Sequence, residues 1–446
     1  MRGTAEARGG TRNRLPRSTV AIVLGLIVLG LIGLGGHPAR AEVVFELVPD
    51  LALGVNDNTV QDMPPVRDSF ATAGVGGHLR YTGARVTHAL GNRLSYSHFF
   101  QGRSRDTLTD ALTWTSTWDP LAVLQVRLSA GAAVSRVSSV DLGDSSAAVP
   151  TGAVPGYSYY VASTASEAVR FQPTARSAFL ESLTAGRVDY LDNRPDLPTT
   201  TQFTGELRAE RLAARDTIYL DARLSDAYTT TTPLNAGTFS EGHNLVAQLL
   251  LGWRRQLSAF WTSELQGGPM VVFRLNGDGI VSPSWLGSLS YQGLPLGGLA
   301  WFASLSVSRS AGLNLFLGQA TVSDQALLRL ALPLNRRQTI FVTGFTSYLY
   351  ARQIGADAEG TNNLSRLFDQ ISSGAALTAR MSQHPFFATL AYTFVDQRGS
   401  TYAVQRAMMP PEIRRLDDLR RRTLLLSAGA AFAWGPGTPT FFGGAP

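Results

Sequence analysis

Residues Thr217-Ile218-Tyr219-Leu220-Asp221-Ala222-Arg223-Leu224-Ser225 change character at every step. Ile218, Leu220, Ala222 and Leu224 fall on one parity, and Thr217, Tyr219, Asp221, Arg223 and Ser225 fall on the other. Successive side chains of an extended strand point to opposite faces, so this segment carries one greasy face and one wet face. The segment before it repeats the pattern, with Phe203, Gly205, Leu207 and Ala209 opposing Thr204, Glu206, Arg208 and Glu210. A hairpin turning through Ala213 to Asp216 sets Glu206 opposite Arg223 and Arg208 opposite Asp221.

The same period extends in both directions. Val126, Leu128, Ala130, Ala132 and Val134 form one greasy row, Leu245, Ala247, Leu249, Leu251 and Trp253 another, and Trp301, Ala303, Leu305 and Val307 a third. Eighteen such segments run from 43–55 to 422–434, among them 121–138, 284–291 and 370–381. The links between them alternate in length. Thr82-Gly83-Ala84, Asp119-Pro120, Gln172-Pro173-Thr174 and Ser382 to Pro385 are short. Asn56 to Arg67, Ser139 to Tyr157, Thr229 to Gly242, Arg352 to Asp369 and Gln397 to Arg421 are long. Short periplasmic turns and long surface loops are the pattern of an outer-membrane barrel. No second sheet is available to cover so many greasy faces, and a sheet that meets lipid has to close on itself. The expected fold is all-β: a transmembrane, antiparallel, up-and-down β-barrel of about 18 strands, with 16 to 20 also fitting the length. A soluble sandwich or propeller is the competing fold, and no blade-length repeat is visible.

Composition narrows the class further. With 446 residues, 44% hydrophobic and 16% charged, the chain is too apolar to remain disordered. Only one run is apolar enough for a membrane helix, Val20 to Gly36, which excludes a helical bundle. That run follows Arg2, Arg8, Arg12, Arg14 and Arg17 and precedes Ala39-Arg40-Ala41, a small-x-small cleavage site. It reads as a signal peptide over 1–41, cut after Ala41, with a retained anchor as the alternative. The net charge of +6 belongs mostly to this leader, because six Arg and one Glu lie in 1–41. The remainder holds 33 Arg against 32 acids, so no nucleic-acid partner is expected. The absence of Cys suits an envelope protein that needs no disulfides. The barrel is placed at 42–434 and a tail at 435–446.

Two sets of side chains follow from the barrel reading. Charge on the lipid face costs about 2–4 kcal/mol near the midplane, so Arg80, Arg127, Glu206, Arg208, Glu210, Asp221, Arg223, Glu264, Arg329 and Arg380 are expected to line the pore. Asp110 and Glu167 fit this parity poorly. An amphipathic ring prefers the headgroup level. Trp118, Trp253, Trp261, Tyr291 and Trp301 stand beside the short turns, Trp285, Tyr190 and Tyr228 are expected at the other ends, and Trp434 closes the last strand.

Enzymatic signatures are missing: no HExxH, GxSxG or phosphate loop occurs. His78, His88 and His98 are the residues an outer-membrane hydrolase would draw on, but their spacing spreads them over two strands, where single histidines are usually polar wall residues, and no catalysis and no cofactor are expected. Asn56-Asp57-Asn58 with Asp62 offers oxygen ligands for Ca²⁺, against a plain Asx-rich turn. In the long loop 397–421, Met408-Met409-Pro410-Pro411 precedes a segment that sets Ile413, Leu416 and Leu419 on one face of a short helix, either folded into the mouth or standing on the surface.

The opening Phe45-Glu46-Leu47-Val48-Pro49-Asp50-Leu51-Ala52-Leu53-Gly54-Val55-Asn56-Asp57-Asn58 resembles the first hairpin of outer-membrane barrels associated with exopolysaccharide secretion systems. The resemblance covers this hairpin, the chain length and the strand count. It implies a porin-like channel that exports a polysaccharide with periplasmic export components as partners. The departure is at the end, where Leu424, Leu426, Ala428, Ala430, Phe432 and Trp434 are followed by a tail in place of a terminal aromatic residue. The first strand begins directly after the expected cut, which disfavours a plugged, energy-coupled transporter. A general diffusion porin for small polar solutes and a structural or adhesive barrel with a blocked lumen are the alternatives.

Overall fold

The computed structural model describes residues 42–57, 67–101, 106–136, 159–191, 199–231, 240–274, 279–293, 301–314, 319–335, 337, 339–356, 362–381, 384–399, 401–404, 412–415 and 419–434. The expected leader with Ala41 and the tail 435–446 lie outside these residues.

The first strands are β1 (Glu42–Asn56), β2 (Asp68–Thr82), β3 (Val86–Phe99), β4 (Thr107–Leu121), β5 (Leu124–Arg136), β6 (Tyr159–Thr174) and β7 (Ser177–Tyr190). They continue with β8 (Thr199–Leu212), β9 (Asp216–Thr231), β10 (Ser240–Gln256), β11 (Trp261–Arg274), β12 (Gly279–Gln292), β13 (Phe302–Asn314) and β14 (Gln319–Pro333). The last are β15 (Ile340–Ala356), β16 (Asn362–Arg380), β17 (Phe386–Gly399), β18 (Thr401–Val404), β19 (Glu412–Arg415), β20 (Leu419–Ala430) and β21 (Phe432–Trp434). Each strand from β1 to β17 pairs antiparallel with the next, β17 pairs with β20, and β20 and β21 return to β1. β20 and β21 are two parts of one strand interrupted at Ala431, so the sheet is a closed, 18-stranded, antiparallel up-and-down barrel. Among the described residues no helix is long and apolar enough to cross a membrane.

Closure is fastened at the long-loop end. Asp57 N–H donates to the Arg422 carbonyl at 3.1 Å, and its Oδ1 accepts from the Arg422 N–H at 2.5 Å, which ties the first strand to the last. At the short-turn end Phe45 stacks on Trp434, with ring centroids 5.6 Å apart.

The pattern of exposure gives the sheet its two sides. On β8 and β9, Phe203, Leu207, Ile218, Leu220 and Leu224 all lie open on one face. Leu207 and Leu251 are each 62% exposed, part of the continuous apolar outer face that a wall facing lipid would present. The same face carries Val43, Phe45, Leu51, Leu53 and Val55 on β1 and Leu424 and Leu426 on β20.

Three local expectations are corrected. Asp119-Pro120 and Gln172-Pro173-Thr174 are parts of strands, and the turns fall at 122–123 and 175–176. Both prolines sit where the ladder slips, between Trp118 and Leu121 and between Phe171 and Thr174, because a residue without an N–H is tolerated where no ladder bond is required. β12 and β16 begin at Gly279 and Asn362, earlier than their sequence patterns at 284 and 370, because β11 and β15 continue to offer backbone partners there. Glu412–Arg415, expected in a helix, is the strand β19 paired with β18. A lone turn of helix after two prolines has no partner for its apolar side, whereas a hairpin satisfies both backbones at once. Residues 405–411 and 416–418 of that loop are outside the described residues.

Candidate functional site

The register assigns each expected pore residue a face. Outward-pointing Leu207 is level with Ala222, so Glu206, Arg208 and Glu210 of β8 and Tyr219, Asp221 and Arg223 of β9 point inward. The pairs Glu206 with Arg223 and Arg208 with Asp221 stand directly opposite, in the register of the turn at 213–215. By the same counting Arg80, Arg127, Glu264, Arg329 and Arg380 also lie on the inner face.

Six of the ten belong to one connected belt near the short turns. Asp221, fully buried, accepts from Arg208 at 3.0 Å, from Arg223 at 2.7 Å and from the Gln266 amide at 3.2 Å. Glu206 accepts from Arg208 at 2.9 Å and faces Arg223 Nε at 3.4 Å. Arg170 approaches Glu210 at 3.8 Å. On the other side Glu264 accepts from Arg254 at 3.1 Å and from the Tyr219 hydroxyl at 2.5 Å. The Arg208 guanidinium lies 4.7 Å over the Tyr219 ring, which joins the two clusters. Four arginines (Arg170, Arg208, Arg223, Arg254) therefore balance four carboxylates (Glu206, Glu210, Asp221, Glu264) across β6 to β11. Arg80, Arg127, Arg329 and Arg380 stand apart from the belt; Arg380 covers the Phe341 ring at 5.2 Å.

Arg170, Tyr219, Arg254 and Gln266 are belt members that the sequence pattern did not single out. Arg254 was within reach of it, since the hairpin around 257–260 sets Arg254 opposite Glu264. Tyr219 was not, because its role depends on Gly252 across the ladder, where the absence of a side chain makes room for the ring.

At the long-loop end the inner face is closed off from solvent. Asn56, Asp68, Phe70, Thr200, Phe368, Gln397 and Thr423 point inward and are buried, while Arg80 and Arg127, nearer the short turns, are exposed.

Of the aromatic candidates, Trp118, Trp253, Trp261 and Trp434 are exposed on the outer wall by the short turns. Tyr291 packs between Trp261 and Trp301, at 4.9 and 4.2 Å between centroids. Tyr228 is exposed on the outer wall near the long loops, stacked on His243 at 4.5 Å. Two placements are corrected. Trp285 faces outward at mid-strand, opposite Gly267, because β12 starts at Gly279. Tyr190 shares the inward parity of buried Val188.

Some polar groups do face outward. Asp110 is one, and it accepts from Asn92 Nδ2 at 2.9 Å, which lowers the cost of placing it there. Glu167 and Glu181 are outward-facing on the adjacent strands β6 and β7. His78 points inward while His88 and His98 point outward, so the wall separates them. His88 stacks between Tyr81 and Trp114, and His98 pairs with Asp106 at 3.0 Å. Of the Ca²⁺ candidates, Asp57 is engaged by the Arg422 N–H, and Asn58 and Asp62 lie outside the described residues. Among the described residues no three acidic, His or Cys groups gather as a metal set.

No protein-family model matches the chain, and no curated protein matches it in sequence. Several solved structures are similar in shape. The ferric-catecholate import receptor Fiu from E. coli K12 is 7% identical with a TM-score of 0.44, over 88% of this chain and 82% of that one. OpdK from Pseudomonas aeruginosa, solved with vanillate, is 11% identical with a TM-score of 0.42, over 88% and 99%. The siderophore receptor PirA from Acinetobacter baumannii is 7% identical with a TM-score of 0.41, over 88% and 80%. These are likenesses of chain trace, and no role is carried over from them.

Proposed function

We propose that this protein is an integral outer-membrane channel that passes a polar solute along the barrel axis, and that the solute is a secreted exopolysaccharide. In this reading the leader directs export and is cut after Ala41, the short turns face the periplasm, and periplasmic export components hand the polymer to the barrel. The observation that carries the reading is the ion-paired inner belt inside a wall whose outer face is apolar. Arg208, Arg223 and Arg254 are already occupied by Asp221, Glu206 and Glu264, so the belt presents satisfied dipoles of both signs and holds no free ion tightly. A neutral polymer rich in hydroxyls can exchange hydrogen bonds along such a wall without a deep binding well, which is what passage requires. No catalytic step and no cofactor are assigned to it.

The same balanced charge suits a general diffusion porin for small polar solutes. The buried inner face at the long-loop end favours a third reading, a structural or adhesive barrel with a blocked lumen. Two measurements separate the three. The purified protein in a planar bilayer is expected to conduct, and silence would establish the blocked barrel. Deleting the gene is expected to abolish surface polysaccharide; unchanged polymer together with conductance would leave the diffusion porin.

A further inference from the structure

The barrel closes through β12 and β13 over only part of their length. Their ladder runs from Gln292 opposite Phe302 only as far as Trp285 opposite Arg309, although β12 goes on to Gly279 and β13 to Asn314. Beyond that point β12 stays with β11, from Gly267 opposite Trp285 to Phe273 opposite Gly279, and β13 stays with β14, from Arg309 opposite Asp324 to Asn314 opposite Gln319.

The separated part of β13 and β14 lies inward of the wall. Ala311 and Val322 belong to the outward row that includes Val307 and Leu305. Yet Val322 is fully buried and packs, with Ala311, against Val246, Met270 and Val272, which point into the barrel from β10 and β11. The Gln248 amide of β10 donates to the Ala311 carbonyl at 3.4 Å, bridging two intervening strands. The outer face of the hairpin thus lies on the inner face of its neighbours.

Two further features meet at the fold line. Asp324 accepts from Arg309 at 2.5 and 3.0 Å and is also held by Arg352 of β15, a clasp where the hairpin leaves the wall. On the outer face, Leu251, Leu265, Trp285 and Val307 line a groove of about 870 Å³ floored by Gly267 and Gly287. Trp285, the last residue of the β12 to β13 ladder, is part of its lining. An apolar groove on the outer face thus reaches the last residue of the ladder, and an apolar cluster lies on the inner side of the stretch where β12 and β13 are not paired.

We infer that the long-loop half of the β13 to β14 hairpin is a hinged panel clasped by Arg309, Asp324 and Arg352, and that its seam admits the acyl tail of a membrane amphiphile from the lipid side. The groove outside and the cluster inside each offer a hydrocarbon tail apolar surface, and the ion-paired clasp is the polar barrier between them that has to open. The route is lateral and separate from axial passage of a polar solute.

The full-length protein reconstituted in vesicles containing a phospholipid with a diazirine on its acyl chain provides the test. After irradiation, mass spectrometry should find adducts on inward Met270 or Val272 and on Val322, besides those on outward Leu251 and Val307. Asp324→Asn, which releases the clasp, should raise the inward share several-fold. Adducts confined to outward residues in both proteins would overturn the inference, and the unaltered protein decides the matter even if the variant fails to assemble. Bilayer conductance tests axial passage independently.

Discussion

The ring of Tyr219 occupies the space that a side chain at Gly252 would fill: a Cβ there would stand 2.0 Å from the ring Cζ. The two residues face each other across β9 and β10, and the contact aims the Tyr219 hydroxyl at Glu264 on β11, 2.5 Å away. A residue without a side chain on one strand thereby positions a polar link to the strand beyond.

Gly252→Ala should therefore displace Tyr219 and break its bond to Glu264. Overpacking of this kind costs roughly 1–3 kcal/mol. The folded band in a heat-modifiability gel is expected to convert at a lower temperature than in the unaltered protein, and an unchanged midpoint would show that the ring is not held by this contact.

Asp221 is fully buried and shared by Arg208 and Arg223. Asp221→Ala leaves two guanidiniums sharing Glu206 and the Gln266 amide without its acceptor, and losing such a charged hydrogen-bond partner costs about 1–3 kcal/mol. It also turns a balanced belt into one with a surplus positive charge. If the barrel still assembles, its reversal potential in a salt gradient should shift toward anion preference, whereas Asp221→Asn should do so with a smaller loss of stability.

Neighbouring positions on β8 should respond in opposite ways. Leu207 faces out and is 62% exposed, while Arg208 faces in. Leu207→Arg should cost about 2–4 kcal/mol in a bilayer because the charge enters lipid, measured by urea unfolding in vesicles. Gly205→Ser, also outward but polar without charge, should cost much less, and equal losses for the two would contradict the assigned faces.

Asp106 precedes β4 at the long-loop end, where the Tyr96 hydroxyl, His98 and the Phe99 N–H hold its carboxyl down at about 2. A depressed carboxylate contributes stability that is complete above its ordinary value of 3.8 and is lost as pH falls through about 2. The protection factor of the Phe99 N–H, its exchange rate compared with an unstructured amide at the same pH, should be equal at pH 7 and pH 4.5 and fall near pH 2. Asp106→Asn, which cannot carry the charge, should show the lower protection factor already at pH 7 and converge with the unaltered protein near pH 2.

Much of this could be read along the chain. Leu207, Ile218 and Leu224 announce an outward face by their parity alone, and the length of the turn at 213–215 is enough to set Arg208 opposite Asp221. What escaped were features set by partners remote in sequence. Tyr190 has the residue type of a membrane belt but the parity of Val188, and only the register with β6 tells which parity is inside. Pro120 and Pro173 look like turns because proline usually ends a strand, yet a slipped ladder accommodates them. Ile413, Leu416 and Leu419 have a helical spacing, yet 412–415 pairs with β18 as a strand.

The chain by itself determined that alternate residues segregate into lipid and water faces and that about eighteen strands must close, because period-two patterning and unsatisfied sheet edges are local and unavoidable consequences of sequence. Only the tertiary structure decided that the ladder between β12 and β13 stops at Trp285 and Arg309 and that Val322 turns from the outer face into the barrel. Alternation says which residues share a face; it cannot say whether that face meets lipid or the inside of its own wall, since that depends on how strands far apart in sequence come to lie on one another.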